Sequence, residues 1–129
     1  MCSPLLLDAA GGWSHWSAAG VESGAYDAVL AVNLTHISPW ASTEGLLRGA
    51  ARALKPGGRL CIYGPFRRNG AFNGAGDEAF DARLRATDAR WGYRAVEEVE
   101  RAAAAVGLAA LAVADMPANN FFLAFTRQA

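Results

Sequence analysis

The amino-acid sequence predicts an α/β domain built around a mostly parallel sheet, and three observations carry that prediction. The run YDAVLAVNL at residues 26–34 is apolar without alternation, which is typical of a strand covered on both faces. A helical pattern follows, and then a second apolar run, RLCIY at 59–63. The last two apolar runs, 108–114 and 121–126, are separated only by DMPANN, so we expect them to pair antiparallel. Alternating strands and helices indicate a sheet with right-handed crossovers.

The helix between the first two strands is predicted at residues 42–54, where apolar residues recur at helical spacing. Ser42 or Thr43 is the expected N-cap, since a hydroxyl can accept a hydrogen bond from a free amide of the first turn. Pro56-Gly57-Gly58 then ends the helix.

The remaining connections have weaker patterns. Residues 9–25 mix small residues with two tryptophans and are expected to form a loop, and residues 67–76 contain too much glycine for regular structure. Asp77 is expected to cap a short helix. A clearer helix covers 95–106, where valine and alanine recur at steps of three and four, and Gly107 ends it.

Length and composition predict one cytoplasmic domain over residues 1–129, and leave open whether residues 1–25 are ordered. A net charge of zero gives no argument for binding nucleic acid or an anionic membrane. No apolar run approaches the roughly 20 residues of a membrane span, and the first residues do not look like a secretory signal. Cys2 and Cys61 stand apart from each other and are expected to be reduced thiols.

Polar and aromatic side chains follow the carboxyl ends of the predicted strands, which is where open parallel sheets bind ligands. One such loop is residues 33–40, a second is 64–69 and a third is 8–16. Together they would bring an imidazole, an amide, aromatic rings and two guanidinium groups to one cleft. The alternative is that polar residues simply collect in loops.

His36 is the best acid or base candidate in these loops, because imidazole titrates near neutral pH without tuning. A structural histidine beside a strand end is the alternative. Asn33 is expected to hold a cofactor or substrate, or only to cap its strand. Arg67 and Arg68 would clamp an anionic group, or would belong to a solvated loop.

Sequence signatures of several other chemistries are missing from the chain. There is no Ser-His-Asp order with a nucleophile elbow, no HExxH and no GxxxxGK[ST]. The acidic residues show no metal-ligand spacing. Hydrolase, zinc-peptidase and phosphate-loop functions are therefore not indicated.

With these residues in view, the chain resembles the S-adenosylmethionine-dependent class I methyltransferases, and most closely a methyltransferase-like family of unknown function present in bacteria and animals. The helix-KPGGRL-strand segment is shared by many methyltransferases, whereas NLTHISPW, YGPF, the segment Asp88–Gly92 and DMPANN are narrower signals. The resemblance runs over LDAAGGWSHW (7–16), YDAVLAVNLTHISPW (26–40), TEGLLRGAARALKPGGRLCIYGPF (43–66), FDARLRATDARWG (80–92) and DMPANNFFLAF (115–125).

The resemblance implies a truncated Rossmann-like class I methyltransferase sheet, mostly parallel, with a C-terminal antiparallel hairpin. It also implies roles for residues on both sides of a cofactor. The cofactor side would hold Asp8 near the adenine amino group, Trp13 near the ring, and Asn33. His36 and Tyr63 are the candidate catalytic residues. The substrate side would be Pro65, Arg67, Asn119 and Asn120.

One departure from the family pattern limits these roles. Related proteins carry a glycine-rich loop after their first strand and an acidic residue after their second, and both would lie before Met1. LLLD would then be the end of the third strand, so we expect a chain that lacks part of the cofactor site, either a truncated reading frame or a genuine short form. We therefore expect weak or absent binding of S-adenosylmethionine.

Three functions remain open at this point. The first is a methyltransferase, or an inactive fragment of one, that acts on an unidentified small acceptor. The second is a non-catalytic interaction module that associates with itself or another chain through the edge of strand 26–34, where a missing neighbour would leave backbone groups unpaired. The third, a nicotinamide-dependent domain, is weaker because KPGGRL and DMPANN do not suit it.

Overall fold

The computed structural model describes residues 8–128, which form one larger sheet, one small sheet and four α-helices. The helices are α1 Trp13–Ala18, α2 Trp40–Ala53, α3 Asp77–Thr87 and α4 Val96–Ala105. The strands are β1 Tyr26–Val32, β2 Leu54–Gly64, β3 Phe66–Arg68, β4 Ala71–Phe72, β5 Arg94–Ala95, β6 Leu108–Met116 and β7 Asn120–Arg127. A short 3-10 helix, Ala9–Gly11, precedes α1.

The larger sheet has the strand order β1-β2-β7-β6. β1 pairs parallel to β2, and β7 pairs antiparallel to both β2 and β6, so β1, β2 and β6 run in one direction and β7 opposes them. Residues Val29 to Val32 lie opposite Leu60 to Tyr63, as the resemblance requires. The predicted α/β class, the parallel pairing of the first two strands and the C-terminal antiparallel hairpin are therefore confirmed.

Helices α2 and α4 cover one face of this sheet and share its core. The stripe of small and branched residues on each helix allows close packing against the strands, and the buried side chains form one cluster. Its members include Leu47 and Ala50 of α2, Val99 and Ala103 of α4, and Leu60, Ile62, Leu123 and Phe125 of the strands.

The other face of β1 is open within residues 8–128. Leu30 is 65% exposed and Val32 54% exposed, whereas Ala31, which points to the helices, is 7% exposed. Successive side chains of a strand alternate between faces, so only one face of β1 is packed here. The expectation that this strand is covered on both faces is not met by the part of the chain that the structure describes.

The beginning of α2 differs from the prediction. The helix starts at Trp40 with Pro39 as its N-cap, rather than at Ser42 or Thr43. Pro39 has the extended backbone of an N-cap residue, and proline loses nothing there because it has no amide hydrogen to leave unpaired. Thr43 is instead fully buried inside the helix.

Two segments predicted as loops are partly regular. Residues 67–76 contain a hairpin of β3 and β4, because Asn69 and Gly70 both adopt positive φ, 54° and 76°, as a two-residue hairpin turn requires. β3 also pairs parallel to β5. Residues 9–25 include α1, which buried Trp16 anchors to the core cluster. Leu5 to Leu7 and Cys2 lie outside the described residues.

Within residues 8–128, no helix has both the length and the apolar character needed to span a membrane.

Candidate functional site

A pocket of about 330 Å³ lies beyond the carboxyl ends of β1 and β2. Asn33 and His36 reach it from the loop after β1, and Pro65 reaches it directly after β2. Its other lining residues come from parts of the chain distant in sequence: Asp77 and Phe80 of α3, Tyr93 before β5, and Ala118 and Asn120 at the β6–β7 turn. Two of the three strand-end loops predicted to form one cleft, 33–40 and 64–69, thus line one cavity, whereas the loop at 8–16 does not line it.

His36 is a buried imidazole with an unpaired nitrogen. It is 5% exposed, and its Nδ1 makes no hydrogen bond within the described residues. The rings of Phe80 and Tyr93 approach it at centroid distances of 6.1 and 6.4 Å in edge-on geometry. Burial lowers the pKa of His36 below its ordinary value of 6.5, because the charged form loses hydration. The imidazole is therefore neutral at physiological pH.

Gly64 is buried and leaves room for about one methyl group between His36 and Asn33. A Cβ added to Gly64 would lie 3.6 Å from His36 Nδ1 and 3.7 Å from Asn33 Oδ1. Asn33 itself has a left-handed φ of 53°, and its backbone amide donates to the backbone carbonyl oxygen of Tyr63 at 2.8 Å. This bond ties the loop after β1 to the end of β2 and holds the two polar side chains around the space.

Tyr93 and Asp77 form a buried pair on the other wall of the pocket. The Tyr93 hydroxyl donates to Asp77 Oδ1 at 2.8 Å, and the Tyr93 amide donates to Asp81 Oδ1 at 2.8 Å. Asp77 Oδ2 accepts from the Gly74 amide at 3.0 Å. Burial first, and then the neighbouring carboxylates, raise the pKa of Tyr93 well above its ordinary value. The hydroxyl therefore stays protonated as a donor.

The position of Tyr93 in the pocket was not predicted from the sequence, and Asp77 was expected only to cap a helix. The N-cap of α3 is Gly76, and Asp77 is the first residue of the helix. Tyr93 directly follows the Asp88–Gly92 segment that the resemblance marked as a narrow signal, and this adjacency was the available clue.

Arg94 fastens the loop that carries His36. Its guanidinium group donates to the carbonyl oxygens of Thr35 at 3.3 Å, Ser38 at 2.8 Å and Arg90 at 2.7 Å. The amide of Gly92 donates to the carbonyl oxygen of His36 at 3.0 Å. Two of the narrow sequence signals, NLTHISPW and the segment before Tyr93, are therefore in direct contact.

The β6–β7 turn brings the third narrow signal to the same place. Asn120 Nδ2 donates to the Tyr63 hydroxyl at 3.1 Å, and Asn119 Nδ2 donates to the Ala75 carbonyl oxygen at 3.4 Å. Asn120 lines the pocket together with Pro65, whereas Tyr63, a predicted catalytic residue, does not line it and contacts Asn120 behind the wall. Asn119 contacts the loop before α3 instead.

Three predicted site residues lie elsewhere. Asp8 is exposed, and its Oδ1 accepts from the Ala10 amide at 3.0 Å as a cap of the 3-10 helix. Trp13 stacks on Trp16 with centroids 6.3 Å apart and lines a separate cleft of about 210 Å³ between α1 and α2. Arg67 lies on β3 and does not line the His36 pocket; its Nε is buried with no partner among the described residues.

Comparison with solved structures places the fold among the class I methyltransferases. Human N-acetylserotonin methyltransferase in complex with SAM aligns with 80% of this chain at a TM-score of 0.70 and 11% identity. An O-methyltransferase family 2 protein from Planctomyces limnophilus, in complex with apigenin, aligns with 80% at 0.71 and 17% identity. An O-methyltransferase family protein from Burkholderia thailandensis aligns with 84% at 0.69 and 19% identity. The alignment covers 30%, 31% and 32% of those chains, so this chain spans about a third of their length.

The family itself is shown by sequence. The model of the family described as "protein of unknown function (DUF938)" matches residues 1–127, and this chain belongs to that family. A shorter match is to highly reducing polyketide synthase 2 of Gibberella zeae, which is 44% identical over 43 residues. Those residues are 33% of this chain and 2% of the synthase.

Proposed function

We propose that this chain takes part in methyl transfer from S-adenosylmethionine to a small acceptor bound in the His36 pocket. The observation that carries the proposal is the pocket that Asn33, His36 and Pro65 line at the carboxyl ends of two parallel strands. Open α/β sheets bind their ligands at this position. The class I methyltransferase fold supports the same location for the cofactor.

The residues that border this space fit part of a cofactor site. Asn33 is exposed, so its amide can bind a polar group of the cofactor, and the absence of a side chain at Gly64 lets a ligand approach the backbone. Asp8 and Trp13 are proposed for the adenine end, where Asp8 offers an exposed carboxylate. When bound, S-adenosylmethionine supplies an electrophilic methyl group on a positively charged sulfur.

His36 and Tyr63 are proposed to act on the acceptor. The neutral imidazole has a free lone pair on the ring nitrogen that carries no proton, and this nitrogen is proposed to take a proton from an acceptor that must lose one. Tyr63 does not line the pocket, and we propose that its hydroxyl acts on the acceptor through Asn120, whose Nδ2 donates to it. Pro65 and Asn120 form the adjoining wall.

The test is transfer of label from S-adenosylmethionine to a metabolite extract by the purified chain. We expect His36→Ala to lower the rate by at least about a hundredfold where the acceptor loses a proton. His15→Ala is the matched control, because His15 is an exposed histidine of α1 outside the pocket. Equal rates for His36→Ala and His15→Ala, with both variants folded, would contradict the proposed role.

The affinity of the cofactor is measured separately by calorimetric titration of the 129-residue chain. We expect weak or undetectable binding by these 129 residues on their own. A low-micromolar dissociation constant would show instead that these residues hold the cofactor by themselves. In that case, Asn33→Ala is expected to weaken binding.

Self-association through β1 is the second candidate function. It is favoured by the position of β1 at the outside of the described sheet, with Leu30 and Val32 exposed. A strand that has one unpaired edge and apolar side chains is a template for pairing with another strand. We propose that a second copy of this chain occupies it. Sedimentation equilibrium should show a dimer that Leu30→Lys converts to a monomer, and a monomeric wild-type chain would exclude this candidate.

A further inference from the structure

Asp77 is the one side chain of formal charge that lines the His36 pocket in the described part of the chain. The other lining groups are two amides, a neutral imidazole, a protonated phenol and apolar surfaces. The carboxylate is 6% exposed, so its field inside the pocket is poorly screened by water. The pocket thus offers negative charge.

The contacts of Asp77 hold the carboxylate in place and leave it capacity for a ligand. It accepts one hydrogen bond from the Tyr93 hydroxyl and one from the Gly74 amide. An ionised carboxylate accepts about four hydrogen bonds, so about two sites remain. Asp77 also begins α3, and the first turn of a helix is a favourable place for negative charge.

No arginine or lysine lines the pocket among the described residues. The Arg83 guanidinium lies over the Phe80 ring, 5.6 Å from its centroid, and is not a lining group. Arg94 is already bonded to three backbone carbonyl oxygens. Arg67, expected to clamp an anionic substrate, lies outside the lining. A carboxylate or phosphate ligand would meet Asp77 without a compensating cation and is therefore disfavoured.

Two aromatic rings, Phe80 and Tyr93, line the pocket beside Asp77, and their centroids lie 6.0 Å apart. Phe72 packs against Tyr93 at 5.6 Å from outside the lining. Aromatic surfaces accept an apolar ring, and they also stabilise an adjacent ammonium group. Asp77 at the side of such a wall suits a ligand that joins an apolar body to a cation.

We propose that the acceptor in this pocket carries a protonated amine, which Asp77 binds directly. This identification of the ligand as an acceptor rests on the proposed function, whereas recognition of the amine does not. The amine is a recognition group here, whichever atom of the acceptor receives the methyl group. Asp77 determines specificity for charge, and Tyr93 positions it.

The experiment uses three probes that share one ring and differ in their end group: benzylamine, benzyl alcohol and benzoate. Binding to the full chain without cofactor is measured at neutral pH by ligand-observed NMR titration. We expect benzylamine to bind at least about tenfold more tightly than benzoate, since the charge-assisted hydrogen bond to Asp77 is present only for the amine. Asp77→Asn should lower the affinity for benzylamine about tenfold and leave benzyl alcohol within about twofold.

Asp81→Asn is the matched control. Asp81 is a second buried carboxylate on α3, 8% exposed, which bonds the Tyr93 amide and Arg85 but does not line the pocket. It should leave the order of the three probes unchanged. Tyr93→Phe keeps the Asp77 carboxylate and frees one of its oxygens, so it should retain the preference for the amine.

Equal or tighter binding of benzoate by the wild-type chain would overturn the proposal, as would the lack of benzylamine binding at millimolar concentration. This readout needs only the wild-type chain, so it holds even if Asp77→Asn does not fold. Amine binding that depends on Asp77, without any methyl transfer at S-adenosylmethionine concentrations at which the chain binds the cofactor, would refute the proposed function and leave this inference standing.

Discussion

Replacing Gly64 by alanine adds one methyl group between the side chains of Asn33 and His36. The new carbon would lie 3.6 Å from His36 Nδ1 and 3.7 Å from Asn33 Oδ1, which are ordinary contact distances, so neither side chain has to move. Gly64 ends a strand and does not have the left-handed backbone that disfavours alanine. Alanine also restricts the unfolded chain more than glycine does. We therefore expect the free energy of unfolding to stay the same or to rise by up to about 1 kcal/mol.

The effect on function should be large by comparison. A ligand atom that enters the space beside Gly64 would meet the added methyl carbon, which keeps other heavy atoms about 3.5–4.0 Å away from itself. A ligand in the space over Gly64 must therefore shift, and a displacement of about 1 Å from the reactive geometry can cost about a hundredfold in rate. Urea unfolding followed by tryptophan fluorescence measures the stability, and transfer of label from S-adenosylmethionine measures the function.

Gly45→Ala is the matched control, with the opposite pattern expected. The added carbon would overlap the carbonyl oxygen of Ala9, so the 3-10 helix must move away from α2. Overpacking of this kind costs about 1–3 kcal/mol, which the better helix propensity of alanine offsets by about 1 kcal/mol at most. The site over Gly64 is untouched. If Gly64→Ala retained full transfer while remaining folded, the space between Asn33 and His36 would not be where a ligand binds.

Two further predictions concern the buried groups of the pocket. Tyr93→Phe removes the donor to Asp77 Oδ1 and should lower the free energy of unfolding, measured by urea titration, by about 1–3 kcal/mol. Tyr63→Phe is the control and should lower it less, because the Tyr63 hydroxyl is only half-buried. Equal losses would contradict the importance assigned to the buried Tyr93–Asp77 pair. Because burial holds the pKa of His36 below 6.5, the native chain binds fewer protons than the unfolded chain, so stability is full above pH 6.5 and falls as the pH drops towards the lower folded-state pKa. Urea midpoints between pH 7.5 and 5 should show this slope, and His36→Gln should reduce it.

The elements that sequence predicted well are those whose signal is periodic and local. The helix predicted at 95–106 is observed at Val96–Ala105, and the strands predicted around DMPANN form the expected hairpin. The parallel pairing of β1 with β2 followed from two apolar runs joined by one helix. In each case burial and backbone geometry favour the same residues, so the pattern and the fold agree.

The errors have a different origin. The hairpin at Asn69-Gly70 was hidden by counting glycine as a sign of irregular structure, although Asn-Gly between short strands is a hairpin signal. The start of α2 was misplaced because Thr43 looked like a cap, while its position in the helix puts it in the core. Local propensity yielded to tertiary burial there.

The candidate site was predicted only in part, because it depends on contacts between distant segments. His36, Asn33, Pro65 and Asn120 were expected at strand ends and do line one pocket. Asp77 was expected at a helix end, and no sequence motif marked Tyr93. The hydrogen bond between these two side chains, 16 residues apart, therefore could not be predicted from spacing. Trp13, expected near the cofactor ring, packs in a different cleft.

Arg94 explains why the narrow sequence signals belong together physically. Its contacts reach the Thr35 carbonyl across 59 residues and the Ser38 carbonyl across 56, and they fix the loop from both sides of His36. Such a loop has no partner strand for its own carbonyl groups, so an external donor is required to satisfy them. The segment after Trp91 therefore shapes the pocket twice, once through the Arg94 guanidinium and once through the Tyr93 hydroxyl that orients Asp77. Replacing either Arg94 or Tyr93 is therefore expected to change the position or surroundings of His36, although neither residue lies in a strand-end loop.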